Sequence, residues 1–147
     1  MTDYLVDTDV ISAGAPSKHP APLQLMRWMD ENSDRLFISC ISVAEIEEGI
    51  AKAHRQGSRT KAVRLTRWLE TLLHLYHERV LPFDVACARI AGRLSDRANA
   101  RGASPGFADL AIAATAAAHK LTVLTGNVRH FAPLGVEVHN PFAVSPE

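Results

Sequence analysis

The chain has 147 residues, 47% of them hydrophobic and 22% charged, and its 16 basic and 16 acidic side chains give zero formal net charge. That balance excludes a disordered polymer and argues against a protein that coats nucleic acid nonspecifically. The length suits one domain burying about 70% of its unfolded surface. No apolar run approaches the roughly 20 residues of a bilayer span. Acidic Asp3 and Asp7, with no basic segment before an apolar stretch, speak against a signal peptide, so a cytoplasmic protein without membrane contact is expected. Cys40 and Cys87 lie in apolar contexts outside any C-x-x-C pair and read as reduced thiols.

Tyr4-Leu5-Val6 reads as a short buried strand, after which Thr8 or Asp9 caps a brief helix through Ile11. Residues 14–20 hold Gly and Pro breakers and form a loop. Ala21 to Asn32 carries Leu23, Met26, Trp28 and Met29 at helical spacing, and Leu36-Phe37-Ile38-Ser39 is a second strand. Ser42 then caps a helix, with Glu45 at capping-box spacing and Ile46, Ile50 and Ala53 continuing its apolar face. A long amphipathic helix runs from Ser58 to Glu78. Val80 to Phe83 is a marginal third strand, and Asp84 caps a helix from Val85 to about Arg101, ended by Gly102. An alanine-rich helix spans Phe107 to about His119. Leu121 to Thr125 is a fourth strand, Val136 to Val138 a fifth, and the tail from about Asn140 is irregular. Short apolar strands alternating with helices predict an α/β domain with a parallel sheet, whose site forms beyond the C-terminal strand ends.

Three carboxylates lie at the ends of apolar segments, each where a strand or helix end could aim it at a common point: Asp7, Glu45 and Asp109. Acids brought together without a cation repel, and one is forced to keep its proton. A hard divalent ion relieves that repulsion, and Mg²⁺ is held by one or two carboxylates plus waters and phosphate oxygens. The pattern therefore points to metal-assisted phosphodiester chemistry. Each acid also has a purely structural reading. Asp7 or Asp9 caps a helix, Glu45 closes a capping box, and Asp109 sits in a first helical turn where the macrodipole favours an acid. Asp109 is, however, the lone formal charge between Arg101 and Lys120. Asn127, after Thr125-Gly126, falls at the same edge as a weak amide ligand or a turn residue.

The middle of the chain is basic. Arg89, Arg93, Arg97 and Arg101 recur every four residues and share one helix face. Two readings stand: a solvated face beside Asp96, or a track guiding an RNA backbone toward the acids. His74 and His77 lack metalloprotease spacing and read as surface, and Trp28 and Trp68 as core.

With these residues assembled, the chain resembles the PIN-domain ribonucleases, and most closely the VapC- and FitB-like toxins of type II toxin–antitoxin pairs. The likeness starts with Leu5-Val6-Asp7-Thr8-Asp9-Val10-Ile11-Ser12 and passes through Ile41-Ser42-Val43-Ala44-Glu45-Ile46-Glu47-Glu48-Gly49. It resumes at Val80-Leu81-Pro82-Phe83-Asp84 and Ala108-Asp109-Leu110-Ala111-Ile112-Ala113-Ala114-Thr115-Ala116. It closes with Leu124-Thr125-Gly126-Asn127-Val128-Arg129-His130-Phe131 and Val138-His139-Asn140-Pro141-Phe142. Each motif is short, but six in order are highly specific. The resemblance implies a PIN-like three-layer α/β fold, with a central, mainly parallel sheet of four to five short strands flanked by helices. It implies a single PIN domain over residues 1–147.

It further implies a Mg²⁺- or Mn²⁺-dependent endoribonuclease acting on RNA, dimeric and neutralised by a small VapB/FitA-like antitoxin encoded beside it. By matching position, Asp7 and Asp109 would bind metal, Glu45 would complete the acidic set, and Asn127 would take the fourth catalytic place, often an Asp in the family. Gly126 stands where the family usually has Arg. The missing charge at Asn127 weakens the expectation of a second metal, and Asp9, in place of the commoner Asn, is expected to restore part of it. Two other readings remain. Asp7-Thr8-Asp9-Val10 matches the D-x-D-x-[TV] opening of haloacid-dehalogenase-type phosphatases, although no Asp follows Asp109 to supply that class's late acidic pair. Alternatively, with Asn127 in place of an acid, the domain binds RNA or its antitoxin without cutting.

Overall fold

In the computed structural model, residues 1–17 and 19–143 are described. Lys18, within the expected loop, and residues 144–147, within the expected irregular tail, lie outside the described residues. In chain order the elements are β1 (Tyr4–Val6), α1 (Thr8–Ala13), α2 (Leu23–Glu31), β2 (Leu36–Ser39), α3 (Cys40–Arg55) and α4 (Arg59–Tyr76). They continue with β3 (Val80–Leu81), α5 (Val85–Ala100), α6 (Phe107–His119), β4 (Thr122–Leu124), α7 (Val128–Phe131) and β5 (Val138–His139).

The strands form one parallel sheet in the order β3-β2-β1-β4-β5. β1 lies at its centre, with Val6 level with Ile38 of β2 on one side and Leu124 of β4 on the other. The strand sequence runs one way to β3 and then jumps across β1 to β4. The crevice above β1 and β4 is therefore a topological switch point, where ligands bind in open α/β sheets.

Successive side chains of a strand point to opposite faces, so a strand buried on both faces must be apolar throughout. β1 obeys this. Tyr4 and Val6 enter one core with Leu36, Ile38, Ile46, Ile50 and Leu69, while Leu5 enters the other with Ile112, Val123 and Phe131. Helices α1 to α4 supply the first layer and α5 to α7 the second, giving three layers. Leu5, Val6, Leu36 and Ile38 are fully buried, each worth about 1.5–3 kcal/mol of transfer free energy.

Several boundaries differ from the sequence expectation. Of the cap candidates Asp7, Thr8 and Asp9, it is Asp7 that occupies the N-cap of α1, and the helix runs past Ile11 to Ala13. α3 starts directly from β2 and is capped by Ser39, whose hydroxyl accepts from Ile41 N–H. Ser42 and Glu45 therefore lie inside that helix, and the capping box does not form. α4 ends at Tyr76, and His77–Arg79 tightens into a 3-10 turn. α2 occupies Leu23–Glu31, two residues inside its expected start. β5 starts two residues later than expected and ends one later, with Val138 paired to Val123 and His139 to Leu124. Asp84 does cap α5, accepting from Cys87 N–H at 3.0 Å. Cys40 and Cys87 are free thiols.

Candidate active site

β1 delivers Asp7 to the switch point, and its backbone N–H continues the ladder by donating to the Leu124 carbonyl at 2.9 Å. The side chain is almost wholly enclosed, at 4% exposure. Its Oδ1 accepts from Thr8 N–H at 2.8 Å, and its Oδ2 accepts from the Thr125 hydroxyl at 2.7 Å. The capping role is therefore real but uses one oxygen. Burial is the main force raising the Asp7 pKa to about 6, with Thr125 opposing it and the charges of Asp9 and Asp109 adding to it. Asp9 and Asp109 are thus near enough to act on Asp7 electrostatically.

Asp9 follows in the first turn of α1. Its Oδ1 accepts from Val10 N–H at 2.8 Å and its Oδ2 from Gly126 N–H at 2.8 Å, tying α1 to the loop after β4. Asn127 is exposed, with its backbone N–H donating to Thr125 Oγ1 at 2.9 Å and its amide nitrogen 3.5 Å from Asp9 Oδ2.

Glu45 reaches the same edge from the second turn of α3, its Oε1 2.6 Å from the Thr8 hydroxyl. Thr8 Oγ1 also lies 2.8 Å from Ser42 Oγ. A carboxylate can only accept, so the single Thr8 proton goes to Glu45 and the buried Ser42 hydroxyl donates to Thr8. Asp109, in the first turn of α6, has its Oδ2 3.3 Å from Nδ1 of His130 on α7. Its side chain is 29% exposed. Beside it opens a cleft of about 440 Å³ lined by Ser104, Gly106, Asp109, Arg129 and His130. A larger hollow of about 550 Å³, lined by Pro16, Ser17, His19, Lys61 and Arg64, contains none of these acids.

The four residues singled out from sequence thus fall at one sheet edge. Asp7 and Asn127 are linked through the Thr125 hydroxyl, Glu45 is linked through Thr8, and Asp109 acts on Asp7 through its charge. The arginines do not converge on it by contact. Arg89, Arg93, Arg97 and Arg101 are exposed, and no described ion pair joins them to Asp96. Sequence reasoning missed the roles of Thr8, Ser42 and His130. Thr8 follows Asp7 directly and carried a signal; His130 carried none.

Among the described residues, no three His, Cys, Asp or Glu side chains stand close enough to enclose an ion. Mg²⁺ is usually held by one or two carboxylates with waters retained, so any ion here would rely on fewer than three protein acids. The donors are all carboxylate oxygens, suited to Mg²⁺ or Mn²⁺ rather than to a softer metal. The described ion pairs bring no Arg or Lys to Asp7, Asp9, Glu45 or Asp109. A carboxyl whose pKa is raised mainly by burial, with acidic neighbours adding to the shift, is a group that a cation can stabilise in its charged form.

The pattern of the PIN domain matches residues 4–134. The chain belongs to the PIN-domain family. It is 34% identical over 139 residues to Toxin FitB of Neisseria gonorrhoeae, covering 94% of this chain and 97% of that one. It is likewise 34% identical over 139 residues to VapC ribonuclease Y4jK of Sinorhizobium fredii, covering 94% and 96%. The crystal structure of FitAcB from Neisseria gonorrhoeae superposes with a TM-score of 0.83 at 33% identity, covering 96% of this chain and 99% of that one. The three-layer fold expected of a PIN domain is the one observed, with every strand pair parallel. No described helix is long and apolar enough to cross a membrane.

Proposed function

We propose that this PIN domain is the ribonuclease toxin of a toxin–antitoxin pair, hydrolysing RNA phosphodiester bonds with Mg²⁺ or Mn²⁺ at the β1/β4 edge. The relatives named as a toxin and as a ribonuclease support the activity. The observation that carries the site is Asp7, buried at the switch point with a carboxyl pushed up to about 6 among further acids. Asp7 and Asp109 would hold the cation, with Glu45 and Asn127 completing the set. An antitoxin of the VapB/FitA kind, and a second copy of the chain, are the partners that this reading carries. A single domain over the whole chain belongs to it as well.

Bound at these acids, the cation would neutralise phosphate charge and lower the pKa of the attacking water. The remaining work falls to the chain's own groups. Thr125 and Thr8 N–H fix Asp7 in one rotamer. Thr8 holds one Glu45 oxygen, and the other, engaged in no hydrogen bond among the described residues, would orient the water and accept its proton. Attack in line breaks the phosphorus–oxygen bond, and the leaving oxygen is protonated from solvent.

The test is cleavage of structured RNA by purified protein with Mg²⁺, with EDTA, and by Asp7→Asn and Asp109→Asn. Loss of about a hundredfold or more in both folded variants is expected; retained cleavage in either eliminates the assignment. The uncharged Asn127 keeps a second reading in play, a domain that binds RNA or antitoxin without cutting. Mg²⁺ binding without cleavage selects it. Growth arrest on expression, relieved by the product of an adjacent short reading frame and by Asp7→Asn, tests the toxin role.

A further inference from the structure

The cleft beside Asp109 also contains a basic side chain with no task in the fold. Loop 103–106 forms one side of it, and Arg129 and His130 of α7 line it together with Asp109. His130 is engaged by Asp109, its Nδ1 lying 3.3 Å from Oδ2. Arg129 is not engaged. It is exposed, and no hydrogen bond, ion pair or ring contact joins it to any described residue. Arginines with structural work look different: Arg35 donates to the Thr2 carbonyl at 2.9 Å and Arg79 to the Leu36 carbonyl at 2.8 Å. The Ser104 hydroxyl, on the same lining, has no hydrogen-bond partner among the described residues either. Two residues before this loop stands Arg101, where the exposed arginine face of α5 ends.

We propose that this cleft seats one phosphate of a single-stranded RNA, next to the phosphate that is cut, with Arg129 as its clamp and Ser104 as a second donor. The inference rests on the RNA-cleaving reading of Asp7 and Asp109, and it adds where the strand lies. A guanidinium presents a planar fork that matches two phosphate oxygens at once. A phosphate facing Asp109 needs a cation between them, whereas one facing Arg129 needs none. The two sides of the cleft therefore suit successive phosphates of one strand. A hollow of about 440 Å³ has the size of a small-ligand site. It admits a splayed segment of single strand and not the stacked rod of an A-form duplex. Contacts to phosphate carry no base information, so the seat fixes the position of a strand without choosing its sequence.

Binding is measured by fluorescence anisotropy in Asp7→Asn protein with Mg²⁺, using two single-stranded RNAs of unrelated sequence and one RNA duplex. Thermal melting shows that each variant remains folded. Arg129→Ala is expected to weaken both single strands by about tenfold and to flatten the slope of log affinity against log salt by about 0.7, the share of one phosphate. Arg129→Lys should recover only part of the loss, because an ammonium lacks the fork. Gly106 offers a block that changes no charge. Its φ is −66° and a Cβ there meets nothing within 4 Å, so Gly106→Leu adds bulk to the lining without displacing the fold. It should weaken single-strand binding too, and the losses from Gly106→Leu and Arg129→Ala should overlap in the double variant instead of multiplying. Unchanged affinity in Arg129→Ala overturns the seat while leaving the nuclease reading standing. Equal losses for duplex and single strands would show a diffuse charge effect and overturn it as well, as would losses that multiply in full. Absence of RNA binding in the parent protein removes the nuclease reading and the seat with it.

Discussion

The Thr125 hydroxyl donates to Asp7 Oδ2 at 2.7 Å, joining the ends of β4 and β1 across 118 residues of chain. Thr125 is fully buried and also accepts from Asn127 N–H at 2.9 Å, so one hydroxyl sets both the acid and the loop beside it. Thr125→Val keeps the shape and removes the hydroxyl. A buried carboxylate that loses a donor costs about 1.5–3 kcal/mol, and the Asp7 pKa should climb above its present value of about 6. Urea unfolding at pH 8 in EDTA should show that loss. At pH 5, where Asp7 is mostly protonated, the cost should shrink. An equal loss at both pH values would mean that the hydroxyl serves the loop and not the acid.

Asp7 also fixes a sign for stability against pH. Its folded pKa of about 6 lies above the ordinary 3.8, so between those values the folded state binds the proton that the unfolded chain has released. Stability from this group is therefore greatest at low pH and falls as pH rises from about 4 to about 6, by about 3 kcal/mol in all. Asp7→Asn, which cannot ionise, should lack that fall. In EDTA above pH 7 the variant should melt higher than the wild type, and saturating Mg²⁺ should narrow or reverse the gap by stabilising the wild type alone. A variant that melts lower in EDTA at every pH would contradict the burial penalty assigned to this acid.

Much of this arrangement was legible in the chain. β1 and β2 are apolar at every position that both cores demand, so Tyr4-Leu5-Val6 and Leu36-Phe37-Ile38 read as doubly buried strands without ambiguity. Asp7 stood out because a carboxylate at the end of such a strand needs a reason to be there. Ser42 misled because Ser39 and Ser42 are both placed to cap a helix. The choice between them depends on β2 running straight into α3, which no local pattern encodes. α7 has four residues, too few to show a period, and with it His130 was hidden. The link of Thr125 to Asp7 depends on β4 landing beside β1, a fact of sheet order and not of sequence neighbourhood.

The four arginines on and after α5 offer a test by salt dependence. They are exposed and carry no described ion pair, so replacing Arg89, Arg93, Arg97 and Arg101 together by Ala should leave folding nearly unchanged. If they track an RNA backbone, affinity for single-stranded RNA falls, and the slope of log affinity against log salt flattens by about 0.7 for each phosphate no longer neutralised. Binding by cleavage-inactive Asp109→Asn protein, measured by fluorescence anisotropy across a salt series, gives both quantities. An unchanged slope assigns these residues to a solvated face.

Thr8 is the last point at which the structure predicts more than the family pattern. Its hydroxyl proton is committed to Glu45 Oε1 at 2.6 Å, and its oxygen lies 2.8 Å from the buried Ser42 hydroxyl, so α1 and α3 are held in one register at the site. Thr8→Val is close in shape and removes both bonds, leaving Ser42 without its acceptor and Glu45 free to swing. Stability should drop by about 1–3 kcal/mol through Ser42, while cleavage should fall by about tenfold through the misplaced Glu45. The two effects separate in Thr8→Val with Ser42→Ala, where the orphaned hydroxyl is gone. Stability should then recover in part and activity should not. Glu45→Gln supplies the control: if Thr8 acts through Glu45, adding Thr8→Val to it changes the cleavage rate little, and a full further tenfold loss would refute the coupling.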